Sequence, residues 1–425
     1  VFLKDTGGRL LQRLLVQLEN PTPEVLQVEL LHSGQEATLT LPPGSSTYPI
    51  FIPEPLQAGT VVVRLRSGGT LAETASCLVR PPHHWRVHVV QTSHHDAGYT
   101  DLPGRVLLQH DAWLAQALDF AHEMRHFPTS AQFRIVIEQA WSLEHFLQRA
   151  TDAQAQQMLQ LLRSGQFELN ALFGNMVSEL CGHETLVRAL YHSAQLSRQH
   201  AFPLLCAEHN DIPGFSWGMA RVLAQAGIQF FCPGLPLYYD WGPLKLQSFW
   251  DQAAIFRHPG PGAFWWETIS GERLLFYCNN SGCGGDCRPE LPGLASQLQQ
   301  WEEAGYPYSV VRWPVIGAER DNSPYHPGYS QAVRAWNEEW AFPHLINSTN
   351  AAFYREFRSH LPPDLPTWRG ELPGQDYPSG ATSTARPTAR NRVTHALAPA
   401  AEKLAAFAQL AGEFEYPGAL LRQAY

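Results

Sequence analysis

The chain has 425 residues, too many for one ordinary core, so two or three domains are expected. With 44% apolar and 16% charged residues it has a globular composition, neither disordered nor fibrous. A net charge of −9 argues against nucleic acid as a partner, and no apolar run reaches the roughly 18 residues that a membrane span needs.

Residues 1–84 read as β structure. Short alternating runs, such as LLQRLLVQLEN, LQVELLH, EATLTLP and TVVVRLRS, are separated by Pro, Gly and Ser turns. Regular spacing of short strands suits a small β-sandwich, closed by Pro81-Pro82 as a linker. The texture then changes. WRVHVVQTS is a continuous apolar strand, and VLLQHDAWLAQALDFAHEM carries apolar residues at helical spacing. Strands FRIVIEQ, FELNALF, PLLCAEH, IQFFCPG, ERLLFYC and YSVVRWPVIG alternate with helical stretches as far as residue 365. Such alternation predicts an α/β domain of parallel β/α units over 85–365, with an irregular (β/α) barrel as the simplest architecture. Residues 366–425 open with a Pro/Gly/Ser-rich stretch. The pattern ARNRVTHALAPAAEKLAAFAQLAG follows, which reads as the start of a helical bundle.

Seven cysteines, an odd number on a long chain, do not suggest a disulfide framework. Cys278, Cys283 and Cys287 stand close enough to suggest zinc, but no fourth ligand matches the spacing, and a loop with free thiols is the simpler reading. The chain starts at Val1 without a signal-peptide pattern and reads as a fragment at both ends. A soluble protein is expected; the compartment is not read from the sequence, the cytoplasm being only slightly favoured.

Three short segments carry the chemistry, each directly after an apolar strand, where barrel enzymes place their site residues. In Ser93-His94-His95-Asp96-Ala97-Gly98-Tyr99, an imidazole and a carboxylate two residues apart suit a divalent ion with N and O ligands; the bland reading is a polar loop with a histidine cap. In Glu208-His209-Asn210-Asp211-Ile212-Pro213-Gly214-Phe215-Ser216, Asp211 could ligate metal, act as nucleophile or cap a helix, although Ser216 is better placed to cap. In Gly317-Ala318-Glu319-Arg320-Asp321-Asn322 a further carboxylate ends a strand. Two carboxylates facing one bond are the minimum for glycoside hydrolysis, whereas the alternative is a surface ion pair of little worth.

Together these segments resemble glycoside hydrolase family 38, the α-mannosidases, in a bacterial-type member truncated at its C-terminus. His94 to Tyr99 is similar to the family's H-x-D-x-G-W, Asp211 to Ser216 to its D-P-x-G-x-S, and Gly317 to Asp321 to its G-D-D stretch. FWWETISGERLLFY resembles a tryptophan-bearing hairpin of bacterial members, and YPSGATSTARPTARNRVTHAL the opening of the family's helical domain. The likeness runs over residues 85–425. It implies a metal-dependent retaining hydrolase that cleaves α-mannosides in an oligosaccharide or glycan. His94, Asp96 and Asp211 would bind a divalent metal, Zn2+ first; Asp211 would be the nucleophile and Asp321 the acid and base. Tyr99, in place of the family tryptophan, and Trp266 would meet the sugar. Pro213 stands where other members have an aromatic residue. The family's last metal-binding histidine would lie beyond Tyr425. A metal-dependent polysaccharide deacetylase and a non-catalytic carbohydrate-binding scaffold are the alternatives, and the oligomeric state is not read from the sequence.

Overall fold

The computed structural model describes residues 2–210, 212, 214–234, 262–277, 288–316, 322–372, 380–412 and 414–424. The chain divides into two compact units: Val1–Val87 with Gly293–Ser309 and Ala332–Ile346, and His88–Pro292 with Val310–Gln331 and Asn347–Tyr425.

The first unit holds seven strands among its described residues: β1 (Leu3–Asp5), β2 (Leu10–Asn20), β3 (Leu26–His32), β4 (Gln35–Leu41), β5 (Gly44–Pro53), β6 (Gly59–Ser67) and β7 (Thr70–Val79). They pair as two antiparallel sheets, in the orders β1-β2-β5 and β4-β3-β6-β7. Alternate residues of both sheets meet in one apolar cluster. Leu30, Ile50 and Val63 form its centre, with Leu14, Val16, Leu39 and Leu65 against them. Period-two alternation in the sequence thus becomes one buried and one solvated face per sheet. The helix Leu294–Glu303 belongs to this unit too: fully buried Trp85 stacks on Tyr306 at 5.7 Å and donates its indole N–H to Glu302 at 2.6 Å.

The remaining strands are β8 (Arg86–Thr92), β9 (Ile135–Ile137), β10 (Phe167–Leu169), β11 (Cys206–Asn210), β12 (Phe230–Gly234), β13 (Ala263–Glu267), β14 (Arg273–Tyr277), β15 (Val310–Ile316), β16 (His344–Ser348) and β17 (Thr367–Arg369). In the second unit one sheet runs β10-β9-β8-β15 and another β11-β12-β14-β13-β17. The pairs β10·β9, β9·β8, β11·β12 and β12·β14 are parallel, while β13 and β14 form an antiparallel hairpin. Mixed α/β structure, with helices between strands, is therefore what the second unit has. Among the described residues the strands do not close into one ring.

Local chemistry explains where the helices start. Thr151 caps the helix Asp152–Ser164 through a capping box: its hydroxyl accepts from the Gln154 N–H, and the Gln154 side chain accepts from the Thr151 N–H at 3.1 Å. Gly165, at φ +71°, ends the same helix in the left-handed region. Thr151→Ala is expected to destabilise the second unit by about 1 kcal/mol, read as a lower urea midpoint with an unchanged slope. Ser216 caps the helix Trp217–Gln225, as its sequence position suggests.

Among the polar features buried in this unit are two clusters. Arg312 on β15 and Glu208 on β11 form an ion pair with both side chains fully buried, joining a strand of one sheet to a strand of the other. Asn350 completes the cluster, accepting from Arg312 Nε at 2.8 Å and donating to Glu208 Oε2 at 2.7 Å, with Asn170 also donating to that oxygen at 3.3 Å. The second feature lies at the C-terminal ends of β8 and β9.

Candidate metal and catalytic site

Strand β8 is buried along nearly its whole length, and the chain leaves it directly into His94, His95 and Asp96. His94 is fully buried. Its Nδ1 faces both oxygens of Glu138, at 3.1 and 3.2 Å, and its Nε2 lies 3.2 Å from Asp96 Oδ1. This second contact lacks hydrogen-bond geometry, leaving Nε2 a buried nitrogen without a hydrogen-bond partner among the described residues. Glu138, one residue past β9, gathers three donors: His94 Nδ1, the His95 N–H at 3.0 Å and Asn175 Nδ2 at 2.9 Å. On the far side of Asp96, Asn322 Nδ2 donates to Oδ2 at 2.7 Å.

The electrostatics follow from burial against partners. Burial pushes the His94 imidazole down, but Glu138 and then Asp96 outweigh it and hold its pKa well above the ordinary value. Burial would raise Glu138 and Asp96; the neighbouring His94 outweighs it in each case and both stay lowered, with help from Asn175 and Asn322 respectively. At His95 the balance goes the other way: burial outweighs the pull of Glu138 and Asp96 and takes it down to about 4. Its Nδ1 meets the Ser142 hydroxyl at 2.8 Å, and its ring lies 4.3 Å from that of His110.

The turn after Asp96 depends on Gly98. Its φ of +84° is unfavourable for a side chain, and a Cβ there would stand 3.4 Å from Pro103. That turn leaves Tyr99 88% exposed.

Trp266 is a correction to the sequence reading. It is fully buried beside Phe215, Phe231 and Phe276, and its indole N–H donates to the Gly370 carbonyl at 2.9 Å. Alternation along β13 turns Trp266 into the apolar cluster and leaves Trp265 half-buried, so Trp266 has no face for a sugar. Asp211, Pro213, Glu319, Asp321 and the cysteines 278, 283 and 287 lie outside the described residues. Among the described residues no group of three or more His, Cys, Asp or Glu side chains is disposed to hold a metal. A cavity of about 430 Å³ lies among helices His183–Arg188, Tyr191–His200 and Trp217–Gln225, and its lining includes none of these site residues.

Residues 84–371 match the sequence profile of the glycosyl hydrolases family 38 N-terminal domain. The chain belongs to that family. Among solved structures, it is similar to an alpha-mannosidase from Enterococcus faecalis V583, with 17% identity and a TM-score of 0.51 over 68% of this chain and 31% of that one. It also matches a glycosyl hydrolase family 38 protein from Enterococcus faecalis, with 14% identity and a TM-score of 0.47 over 68% of this chain and 29% of that one. The chain thus spans about a third of the length of either. No curated protein matches it. His94, Asp96 and Glu138 all fall inside the span matched by the family 38 domain. Glu138 and Asn322 were not singled out from the sequence. A signal for Glu138 was present, since an acidic residue directly follows the apolar run of β9 as His94 and Asp96 follow β8. Asn322 offered only its place beside Asp321.

Proposed function

We propose that this family 38 chain carries the catalytic centre of a metal-dependent retaining glycosidase acting on α-mannosides, with the two sheets of its second unit belonging to an irregular barrel. The observation that carries the reading is the pairing of buried His94 Nε2 with half-buried Asp96 Oδ1, 3.2 Å apart. Two ligands of one tetrahedral zinc, each about 2 Å from the ion, stand roughly 3.3 Å apart. The buried nitrogen without a hydrogen bond, the carboxylate behind it and the mixed N/O donor set all fit a divalent ion. Asp211 follows β11 directly and is the proposed third ligand. An ion at Nε2 needs an imidazole with no proton on that nitrogen, so ion binding would compete with protonation of His94.

A bound ion would orient sugar hydroxyls by accepting their lone pairs. The chain's own residues do the rest. Asp211 attacks the anomeric carbon and forms a glycosyl ester. Asp321 protonates the departing oxygen, then takes a proton from the water that cleaves the ester. Retention requires the two carboxyl groups roughly 5 Å apart. Exposed Tyr99 offers its ring to the sugar.

The test is hydrolysis of an aryl α-mannoside followed by proton NMR, with the protein as purified, after chelation and after Zn2+ is returned. The expected result is α-mannose as the first product, loss of turnover on chelation and its recovery with the ion. First release of β-mannose, or turnover indifferent to chelation, overturns the reading. Glu138→Gln should weaken Zn2+ binding roughly 10–100-fold. The three donors converging on Glu138 need an acceptor at both oxygens, and an amide would turn its NH2 group toward one of them. Calorimetric titration with Zn2+ measures this loss.

A further inference from the structure

Asn322 clasps Asp96 at two points. Its amide nitrogen donates to Asp96 Oδ2 at 2.7 Å, and its amide oxygen accepts from the Asp96 backbone N–H at 3.1 Å. Both contacts run from one side chain to one residue, so together they fix the rotation of the carboxylate as well as its position. Asp96 Oδ2 is thereby engaged, while Oδ1 is turned to His94 Nε2 at 3.2 Å. A second stitch runs alongside, the Ser93 hydroxyl donating to the Ser323 carbonyl at 2.8 Å. Further along, the Tyr325 hydroxyl donates to the Val136 carbonyl on β9 at 3.3 Å, and the His326 N–H donates to the Gln91 side chain on β8. The backbone is shaped for the clasp: Asn322 sits at φ +54°, a left-handed conformation that asparagine tolerates better than most residues. In sequence it directly follows Asp321.

We propose that Asn322 is a positioning residue with two effects. It makes Asp96 a one-oxygen ligand by occupying Oδ2, and it ties the segment next to Asp321 to the state of the ion site. This rests on reading His94 and Asp96 as metal ligands. A carboxylate released from the clasp can rotate and present both oxygens to an ion, which changes coordination number and geometry. The clasp also gives ion binding a mechanical route to residues 322–325: an ion that immobilises Asp96 immobilises Asn322 with it.

Asn322→Gly is the variant of choice, because glycine keeps φ +54° without strain while removing the side chain. Co2+ is the probe, titrated into the purified protein and followed by calorimetry and visible absorption. The glycine variant should bind Co2+ roughly 10–100-fold more weakly, with weaker d–d bands that mark a higher coordination number. In the unaltered protein Co2+ should slow backbone hydrogen exchange over residues 322–326, and in the variant it should not. Should the glycine variant fail to fold, Asn322→Asp keeps the size, replaces the donor with an acceptor and should show the same spectral change. Wild-type affinity, spectrum and exchange protection in the variant overturn the proposal. Asp96→Ala run in parallel separates the two ideas. If it loses Co2+ while Asn322→Gly does not, only the clasp is refuted. If Asp96→Ala binds Co2+ as well as the unaltered protein does, or if neither binds it, the metal site itself is refuted and the clasp with it.

Discussion

Asp211→Asn and Asp321→Asn are both expected to lose most glycoside hydrolysis, by different routes. The loss at Asp321 should be roughly 10²–10⁴-fold, the usual contribution of a positioned acid–base group. Asp211 is proposed as both nucleophile and ligand, so its replacement should prevent the glycosyl ester from forming and weaken ion binding as well. Asp321 is proposed only to move protons. Its loss should weigh most on poor leaving groups, because a good one departs without a proton. An activated aryl mannoside should still glycosylate the Asp321 variant, which then stalls for want of a base. Added azide, which needs no base, should restore turnover and yield α-mannosyl azide. If Asp321 instead forms a surface pair with Arg320, its removal should matter little, since exposed pairs contribute roughly 0–1 kcal/mol. Near-normal hydrolysis of an unactivated disaccharide by the Asp321 variant would move the acid–base role to Glu319 or to Glu371. Glu371 is exposed, and its backbone carbonyl accepts from the Trp368 indole.

Arg312→Met should destabilise the second unit by about 3–5 kcal/mol, the cost of leaving a buried charge without its partner. Glu208 would then be fully buried with, among the described residues, only the side-chain amides of Asn350 and Asn170 donating to it. Glu208→Leu should cost a similar amount by stranding the guanidinium. The double variant should recover much of either loss, since apolar residues of similar volume can replace a buried pair. Recovery should stay incomplete, because Asn350 would lose both of its charged partners. Urea denaturation of the four proteins gives the coupling energy directly. A double variant no more stable than the worse single one would mean that the cluster does not act as a pair.

Much of the second unit was legible in the sequence because its signals are local. WRVHVVQTS became β8, VLLQHDAWLAQALDFAHEM falls in the helix Pro103–Glu123 and its C-cap Met124, and ARNRVTHALAPAAEKLAAFAQLAG lies within one helix, Ala385–Leu410 together with the residues just after it. His94 and Asp96 could be singled out as candidates because they follow a strand closely. What stayed hidden depends on contacts distant along the chain. Trp85 is buried against residues more than 200 positions away, and no local pattern announces that segments 293–309 and 332–346 join the first unit. Glu138 meets His94 across 44 residues and Asn322 meets Asp96 across 226. Trp266 was misplaced for a related reason: a tryptophan in a hairpin suits a sugar platform or a core equally, and only the packing of β13 against its neighbours decides between them.

The buried Arg312–Glu208 pair also bears on how this sequence can change over time. A loss of about 3–5 kcal/mol is a large part of the roughly 5–15 kcal/mol that holds a typical domain folded. Neither residue can therefore drift alone, although both can be exchanged together. Positions 208 and 312 should behave as a single inherited unit, kept or replaced jointly, although 104 residues separate them in the chain. Because β11 runs into Asp211 and β15 leads toward Asp321, the same constraint would slow divergence of the two strands that precede the proposed catalytic carboxylates.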